Sequence, residues 1–444
     1  MASKPSYANT AFWLAPGAVL ALCGFFAAYA LLVPELANSV DSSMQSSMQS
    51  SVQLSVQSSV QSSVQQYLPV TSPKMLQYSR LRYAIHFGWM AMDTVFLLAF
   101  LHFGLAGRLR DFVSTRFSSP VARIAAFVTV FSLITVIACF PFSFLTGFWL
   151  KHQFGLSSQS FVDWIADVAK AVAVNLVIEI PLWLLVFSAV SKFRKSWPYL
   201  VFLGSIPVIL LLTFAAPLII DPVFNKIEPM QAGTLHEGID GLAAKSGLAG
   251  APVFVADKHK QTNEVNAYVT GLGPSARIVI WDTTLNKLKD REVLSVVAHE
   301  LGHYVLKHVY WGCAIAICIS LIVLPVNVFI TPHFFRLLPE RWNVRGLEDF
   351  AAIPVLILCA TIIGFFSEPL INGYSRQIEA EADSYGFRLF PDKDAFARTF
   401  ADLARENLSA PFPPKLIVFW LFSHPPLGER ISAALNYDAQ KPVR

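Results

Sequence analysis

Seven runs of apolar residues, each about the length needed to cross a bilayer, restrict this chain to a membrane-embedded fold. A hydrocarbon core about 30 Å thick takes roughly 20 residues of helix, and the runs near 11–33, 84–106, 122–149, 171–191, 199–220, 309–331 and 351–373 meet that length. Backbone polar groups inside lipid must be satisfied within their own segment, so the runs are expected as helices and the chain as a mainly α, multi-pass membrane protein. With 54% hydrophobic and only 14% charged residues among 444, the composition also lies outside the range of soluble domains. The first run contains Ala28, Tyr29 and Ala30, a small-residue pattern of the kind a signal peptidase cuts, so removal of span one stays open, although the run is longer than a usual signal sequence.

Between the first two runs lies "SSMQSSMQSSVQLSVQSSVQSSVQ", about six tetrads within 42–66. Four residues advance a helix by about 400°, so the Val and Met positions drift around the axis and hold no face. The segment is expected as a linker. Two polar stretches, 221–308 and 374–444, follow spans five and seven, and each carries half of a candidate site, so they are expected to form one lobe on one side of the membrane. The division expected is an N-terminal membrane region, 1–220, holding spans one to five, and a metallopeptidase domain, 221–444, that includes spans six and seven. In the lobe "PVFVA" (252–256), "NAYVTGLG" (266–273) and "RIVIWDTTL" (277–285) suggest a small sheet. Net charge +4 without a basic block argues against a nucleic-acid partner. The cysteines Cys23, Cys139, Cys313, Cys318 and Cys359 sit in apolar runs without metal spacing and are expected as buried hydrophobes. Lys and Arg in the loops after spans two, four and six (Arg108, Arg110, Arg194 and Arg341 among them) place the lobe outside the cytoplasm by loop charge.

The chemistry is concentrated in "VVAHELGHYVLKH", 296–308. On a helix His299 and His303 project from one face a turn apart and can both reach a metal ion. Glu300 stands about 100° around and cannot be a third ligand, but it can take the proton of an attacking water and pass it to a leaving amine. By chance an HExxH arises in roughly one or two per cent of chains this long, so a third ligand is the test. "SRQIEAEADSYGFRL" (375–389) offers Glu379 and Asp383 on one face. Glu379 is the candidate ligand; Asp383 would receive a ring N–H of a metal-bound histidine or, alternatively, pair with Arg376 or Arg388. Glu368 is a rival ligand. His308, about 140° off the ligand face, is expected as an interfacial histidine. His424 and Arg430 in "SHPPLGER" (423–430) have no assigned work on their own.

HELGH, a hydrophobic hairpin, SRxxExxAD, then SHPP and ER in this order resemble the type I CAAX prenyl protease family of membrane zinc metallopeptidases, a likeness that "DPVFNKIEPM" (221–230) and "NAYVTGLGPSARIVIWDTTL" (266–285) extend over most of the chain after about residue 80. The resemblance implies one Zn2+ held by His299, His303 and Glu379, Glu300 as general base, Asp383 in support, and His424 and Arg430 near the substrate carbonyl. It implies that Asn266, Ala267 and Tyr268 form an edge strand along which a substrate peptide lies. The fold implied is a ring of about seven helices around a chamber, capped by a gluzincin-like α+β metalloprotease lobe. Asp93 and Glu179 would line that chamber or else bond between helices. The family's lobe faces the cytosol, against the loop-charge count. The absence of a C-terminal dilysine signal points to a bacterial inner membrane rather than the endoplasmic reticulum. The function expected is zinc-dependent endoproteolysis near the C-terminus of peptides or membrane-associated proteins, prenylated CAAX proteins among them. The alternative is a chambered membrane protein with structural zinc that acts in transport or scaffolding.

Overall fold

A computed structural model of the chain describes residues 15–32, 64–193, 195–271, 275–338 and 340–438. The Ser/Gln repeat, apart from its last two residues, lies outside the described residues. Helices dominate: α1 (Ala15–Leu32), α2 (Pro73–His102), α3 (Leu105–Arg116), α4 (Pro120–Gln153), α5 (Phe161–Lys192) and α6 (Trp197–Ile219) come first. Local signals start them. The Ser72 hydroxyl accepts the Met75 N–H at 3.1 Å with Pro73 at the first helical position, and the Ser160 hydroxyl accepts the Asp163 N–H at 3.1 Å. α2 therefore begins well before the apolar run near 84, and its polar first turns, with Arg80 and Arg82, belong to the same rod as the span.

The lobe then follows as β1 (Ile227–Pro229), α7 (Thr234–Lys245), β2 (Val253–Ala256), β3 (Ala267–Thr270), β4 (Arg277–Trp281), α8 (Asp290–Val305), α9 (His308–Leu337), α10 (Ile353–Leu389), α11 (Lys393–Glu406), α12 (Lys415–Leu421) and α13 (Leu427–Asn436). The strands form one sheet in the order β1-β2-β4-β3, with β2 and β4 parallel and both outer pairs antiparallel. β3 is thus an edge. Ile239, Ile278, Ile280, Val297, Leu301 and Ile431 close the lobe core between sheet and helices, each such buried side chain contributing about 1.5–3 kcal/mol.

Among the described residues six helices are long and apolar enough to span a bilayer, and α8 with the first half of α9 makes a seventh if that pair, bent by 48°, counts as one crossing. The bend sits at Lys307, which adopts left-handed backbone with φ 59°, a conformation that costs a non-glycine residue roughly 1–2 kcal/mol. Packed neighbours run α10, α2, α4, α5, α6, α9 in sequence. Only 6% of the apolar window is buried in α5 and likewise in α6, so this wall is one helix thick, with neither face covered by a second layer of protein. Glu179 accepts a hydrogen bond from Ser132 of α4 at 2.9 Å, the helix-to-helix role rather than a free lining position. Cys318 is exposed, unlike the buried Cys23, Cys139 and Cys313, so the expectation of burial fails there, on a helix covered by no second layer of protein at that position.

α8 and α10 approach closely because glycines face across their contact. A Cβ on Gly302 would lie 2.9 Å from the Ala382 carbonyl oxygen, and one on Gly386 would lie 3.2 Å from the His299 backbone nitrogen. Gly302→Ala is expected to push the helices apart and lower stability by about 1–3 kcal/mol. Gly241→Ala, on an exposed turn of α7 with nothing within 4 Å of the added carbon, is expected to gain about 0.5–1 kcal/mol. Thermal unfolding of both variants in detergent checks the pair of opposite signs.

Candidate active site

α8 turns Val293, Val297 and Leu301 into the lobe core, which leaves the opposite side for His299 and His303. α10 continues unbroken from its span into the lobe and presents Glu379 to that side. His299 Nε2 and His303 Nε2 stand 3.2 Å apart, His299 Nε2 is 3.3 Å from Glu379 Oε2, and His303 Nε2 is 3.4 Å from Glu379 Oε1. Four donors at 2.0–2.1 Å around a tetrahedral ion are separated by about 3.3–3.4 Å, and the two histidine nitrogens stand at about that distance from each other and each from one oxygen of Glu379. Glu379 Oε2 is buried with no hydrogen-bond partner, a condition that a cation relieves. The donor set and the orphaned oxygen therefore fit a metal, and His299, His303 and Glu379 are the one group of this kind among the described residues. The rival Glu368 is engaged elsewhere, 3.0 Å from His86 Nε2.

A second layer fixes the ring planes. Asp383 Oδ1 lies 2.8 Å from His299 Nδ1, and Asp383 is held by Arg430 through Nε to Oδ2 at 2.8 Å and Nη2 to Oδ1 at 2.6 Å. Arg376 instead donates to the carbonyls of Val418 and Phe422, so the alternative pairing of Asp383 with it is absent. Arg430 is buried, its guanidinium 4.3 Å over the Phe400 ring. Burial by itself would lower its pKa, and the Asp383 carboxylate outweighs that and keeps it charged. Its Nε and Nη2 face Asp383.

His308 departs from expectation. The chain breaks at Lys307, so an unbroken helical wheel does not apply, and His308 is buried with Nδ1 3.0 Å from His303 Nδ1. Each candidate ligand histidine thus has its own ring partner. No glycine or proline marks the break in sequence, which is why spacing missed it.

Glu300 and His424 line a cavity of 480 Å³ together with His299, Asn266 and Arg430. His424 Nε2 is 3.3 Å from Glu379 Oε1, and its Nδ1 is 2.9 Å from the Ser423 hydroxyl. The surrounding walls push the His424 imidazole toward its neutral form, with the Glu379 carboxylate opposing. Ala267 and Tyr268 stand beside the cavity on β3. The Trp281 N–H bonds the Asn266 carbonyl, so by alternation the Tyr268 peptide groups face β4 while those of Ala267 and Val269 face the free edge. The Tyr268 phenol is tied to Asp221 at 2.5 Å, and burial followed by that bond raises its pKa.

Arg430→Met is expected to leave Asp383 buried without its partner and to cost about 3–5 kcal/mol. A fall in thermal unfolding temperature well beyond that of an Arg398→Met control, whose partner Asp394 is exposed, checks it.

Residues 229–438 match peptidase family M48, and residues 55–226 match the CAAX prenyl protease N-terminal family of five membrane helices. An uncharacterized metalloprotease, YhfN of Bacillus subtilis, is 33% identical over 358 residues, which cover 81% of this chain and 84% of that protein. CAAX prenyl protease 1 of Saccharomyces cerevisiae is 28% identical over 340 residues, 73% of this chain and 74% of that protein. The crystal structure of Ste24p from S. mikatae has the same fold, with a TM-score of 0.78 at 23% identity over 98% of this chain and 100% of that one. Two histidines one turn apart, a carboxylate brought in from the helix of the last span and these relatives lead to one assignment: the chain belongs to peptidase family M48, as a multi-pass membrane metallopeptidase of the CAAX prenyl protease family.

Proposed function

We propose that the chain is a zinc-dependent endopeptidase that cuts peptides or membrane-associated proteins near their C-terminus, prenylated CAAX proteins among them. The observation that supports it most directly is the spacing of the three candidate ligand atoms, with Glu300 beside them on an open cavity and no fourth His, Cys, Asp or Glu in the group among the described residues. A structural zinc site is closed by four protein ligands, whereas a catalytic one keeps a position open. His299, His303 and Glu379 would hold the ion. When bound, zinc lowers the pKa of a water toward 7 and polarises the scissile carbonyl.

The remaining steps fall to the protein. Glu300 accepts the proton of the attacking water and returns it to the leaving amine. His424 faces the same space and stabilises the developing oxyanion. Asp383 holds His299 in the tautomer whose Nε2 lone pair points at the ion, and Arg430 keeps Asp383 ionised and in place, so Arg430 acts as a positioning residue. The outward carbonyl of Ala267 and the peptide groups of Val269 pair with an extended substrate as an added strand, with Asn266, whose Oδ1 takes the Ala267 N–H, at the cavity end. In this reading 1–220 is the membrane region, 221–444 is the peptidase domain, and the protein works in a bacterial inner membrane, for which the B. subtilis relative speaks.

Purified protein is expected to cleave a C-terminal peptide and to lose that activity to a chelator, with matched prenylated and unprenylated tails deciding the substrate class. Glu300→Gln should retain about one zinc per chain by metal analysis while its cleavage rate falls ~10²–10⁴-fold, and Glu379→Ala should lose the metal. Proteolysis persisting in the Gln variant removes Glu300 as the base.

A further inference from the structure

The cavity beside Glu300 reaches α2, where Arg82, Tyr83 and His86 form part of its wall. These residues lie in the N-terminal region, far in sequence from the metal helix. Tyr83 packs its ring 5.7 Å from that of Phe422, two residues before His424, which sets this stretch of α2 against the C-terminal loop of the site. At 480 Å³ the cavity falls within the range of small-ligand pockets, room for a short peptide tail and not for a folded chain.

Of the polar groups on this stretch of α2, Arg82, Tyr83 and His86 can all donate, and two of them lack a matched acceptor among the described residues. His86 is matched by Glu368. Arg82 is only partly buried, stacks 5.7 Å over the Tyr83 ring, and has no carboxylate within ion-pair distance among the described residues. The Tyr83 side chain is 3% exposed, and its hydroxyl makes no well-formed hydrogen bond, with Ser79 and Arg82 within bonding reach of it. A buried unpaired hydroxyl costs roughly 1–3 kcal/mol, and a guanidinium fork matches a carboxylate with two parallel bonds. A single carboxylate at this point would serve both residues. Every polypeptide carries one such group at its C-terminus, whatever its side chains.

We propose that Arg82, with the Tyr83 hydroxyl, receives the C-terminal carboxylate of the substrate, so that the cut is positioned from the chain end. The assignment rests on the peptidase reading above and adds to it a residue that sets specificity. An anionic lipid headgroup would suit the same fork. The wall shared with His299 and Glu300 favours the peptide end.

The test uses the full-length zinc-loaded protein and one peptide made with a free C-terminal carboxylate or with a C-terminal amide. Wild-type protein should favour the acid at least tenfold in kcat/KM, chiefly through KM. In Arg82→Gln that ratio should fall to about one, Arg82→Lys should retain part of it, and Tyr83→Phe should reduce it. Binding of the two peptides to Glu300→Gln protein, followed by fluorescence, should show the same preference and lose it when Arg82→Gln is added. Equal cleavage of acid and amide by the wild type, or a preference that survives in Arg82→Gln, overturns the assignment and leaves the peptidase reading standing. Stimulation by anionic vesicles that depends on Arg82, with acid and amide cut alike, assigns the residue to lipid and also overturns it. Failure to cleave either peptide counts against the peptidase reading, and acid-selective, Arg82-dependent binding would still uphold the carboxylate site.

Discussion

Everything at the site depends on two helices lying close enough for a carboxylate on one to complete a candidate ligand set begun on the other. Protein–metal distances tolerate deviations of about 0.2 Å, so the separation of α8 and α10 has to be fixed within a narrow margin. Gly302 and Gly386 supply the clearance, one against the Ala382 carbonyl and the other against the His299 backbone. The glycine inside HELGH is therefore a packing residue as much as the histidines are candidate ligands. Because α10 carries Glu379, Asp383 and Gly386 on neighbouring turns, the same contact that admits the helix also delivers the candidate ligand and the ring partner of His299.

Around that contact the charges are arranged so that no ring is left to choose its own orientation. Asp383 takes the His299 ring, Arg430 takes Asp383, and His308 takes the His303 ring. Such partners raise ligand basicity and hold the tautomer. The burial of Arg430 and Asp383 is tolerable only because each satisfies the other, so the C-terminal segment 423–430 is bound into the site from behind while His424, at its start, faces the cavity in front. α2 forms the opposite wall, and the site is accordingly built from both halves of the chain.

Much of this was legible in the sequence, for identifiable reasons. Long apolar runs report spans because lipid offers the backbone no alternative partner, and HExxH with a later ExxxD reports a ligand face because helical spacing is rigid. Glu379 and Asp383 were separable from Glu381 by angle alone. What escaped did so where spacing ceases to be rigid or where hydropathy averages away detail. His308 was placed by a continuous wheel, yet Lys307 interrupts the helix without a glycine or proline to announce it. The first turns of α2 were hidden by the hydropathy window, since Arg80 and Arg82 dilute the apolar signal on the very turns that reach the cavity. The engagement of Arg430 with Asp383 joins residues distant in sequence, and no local pattern encodes it.

The break at Lys307 and the continuity of α10 have unequal mechanical effects. At 1.5 Å per residue, the 37 residues of α10 make a rod about 55 Å long, and Glu379 rides on it roughly 24 Å beyond the middle of the lipid-embedded part. A change in tilt of about 5° would swing that carboxylate by about 2 Å if nothing yielded, and bilayer thickness is among the quantities that set tilt. The histidines are spared the corresponding swing, because the bend between α8 and α9 separates them from their own span. A thinner or thicker membrane therefore bears on the two sides of the candidate ligand set differently, and lipid thickness becomes a variable of the site's geometry rather than a mere setting for it.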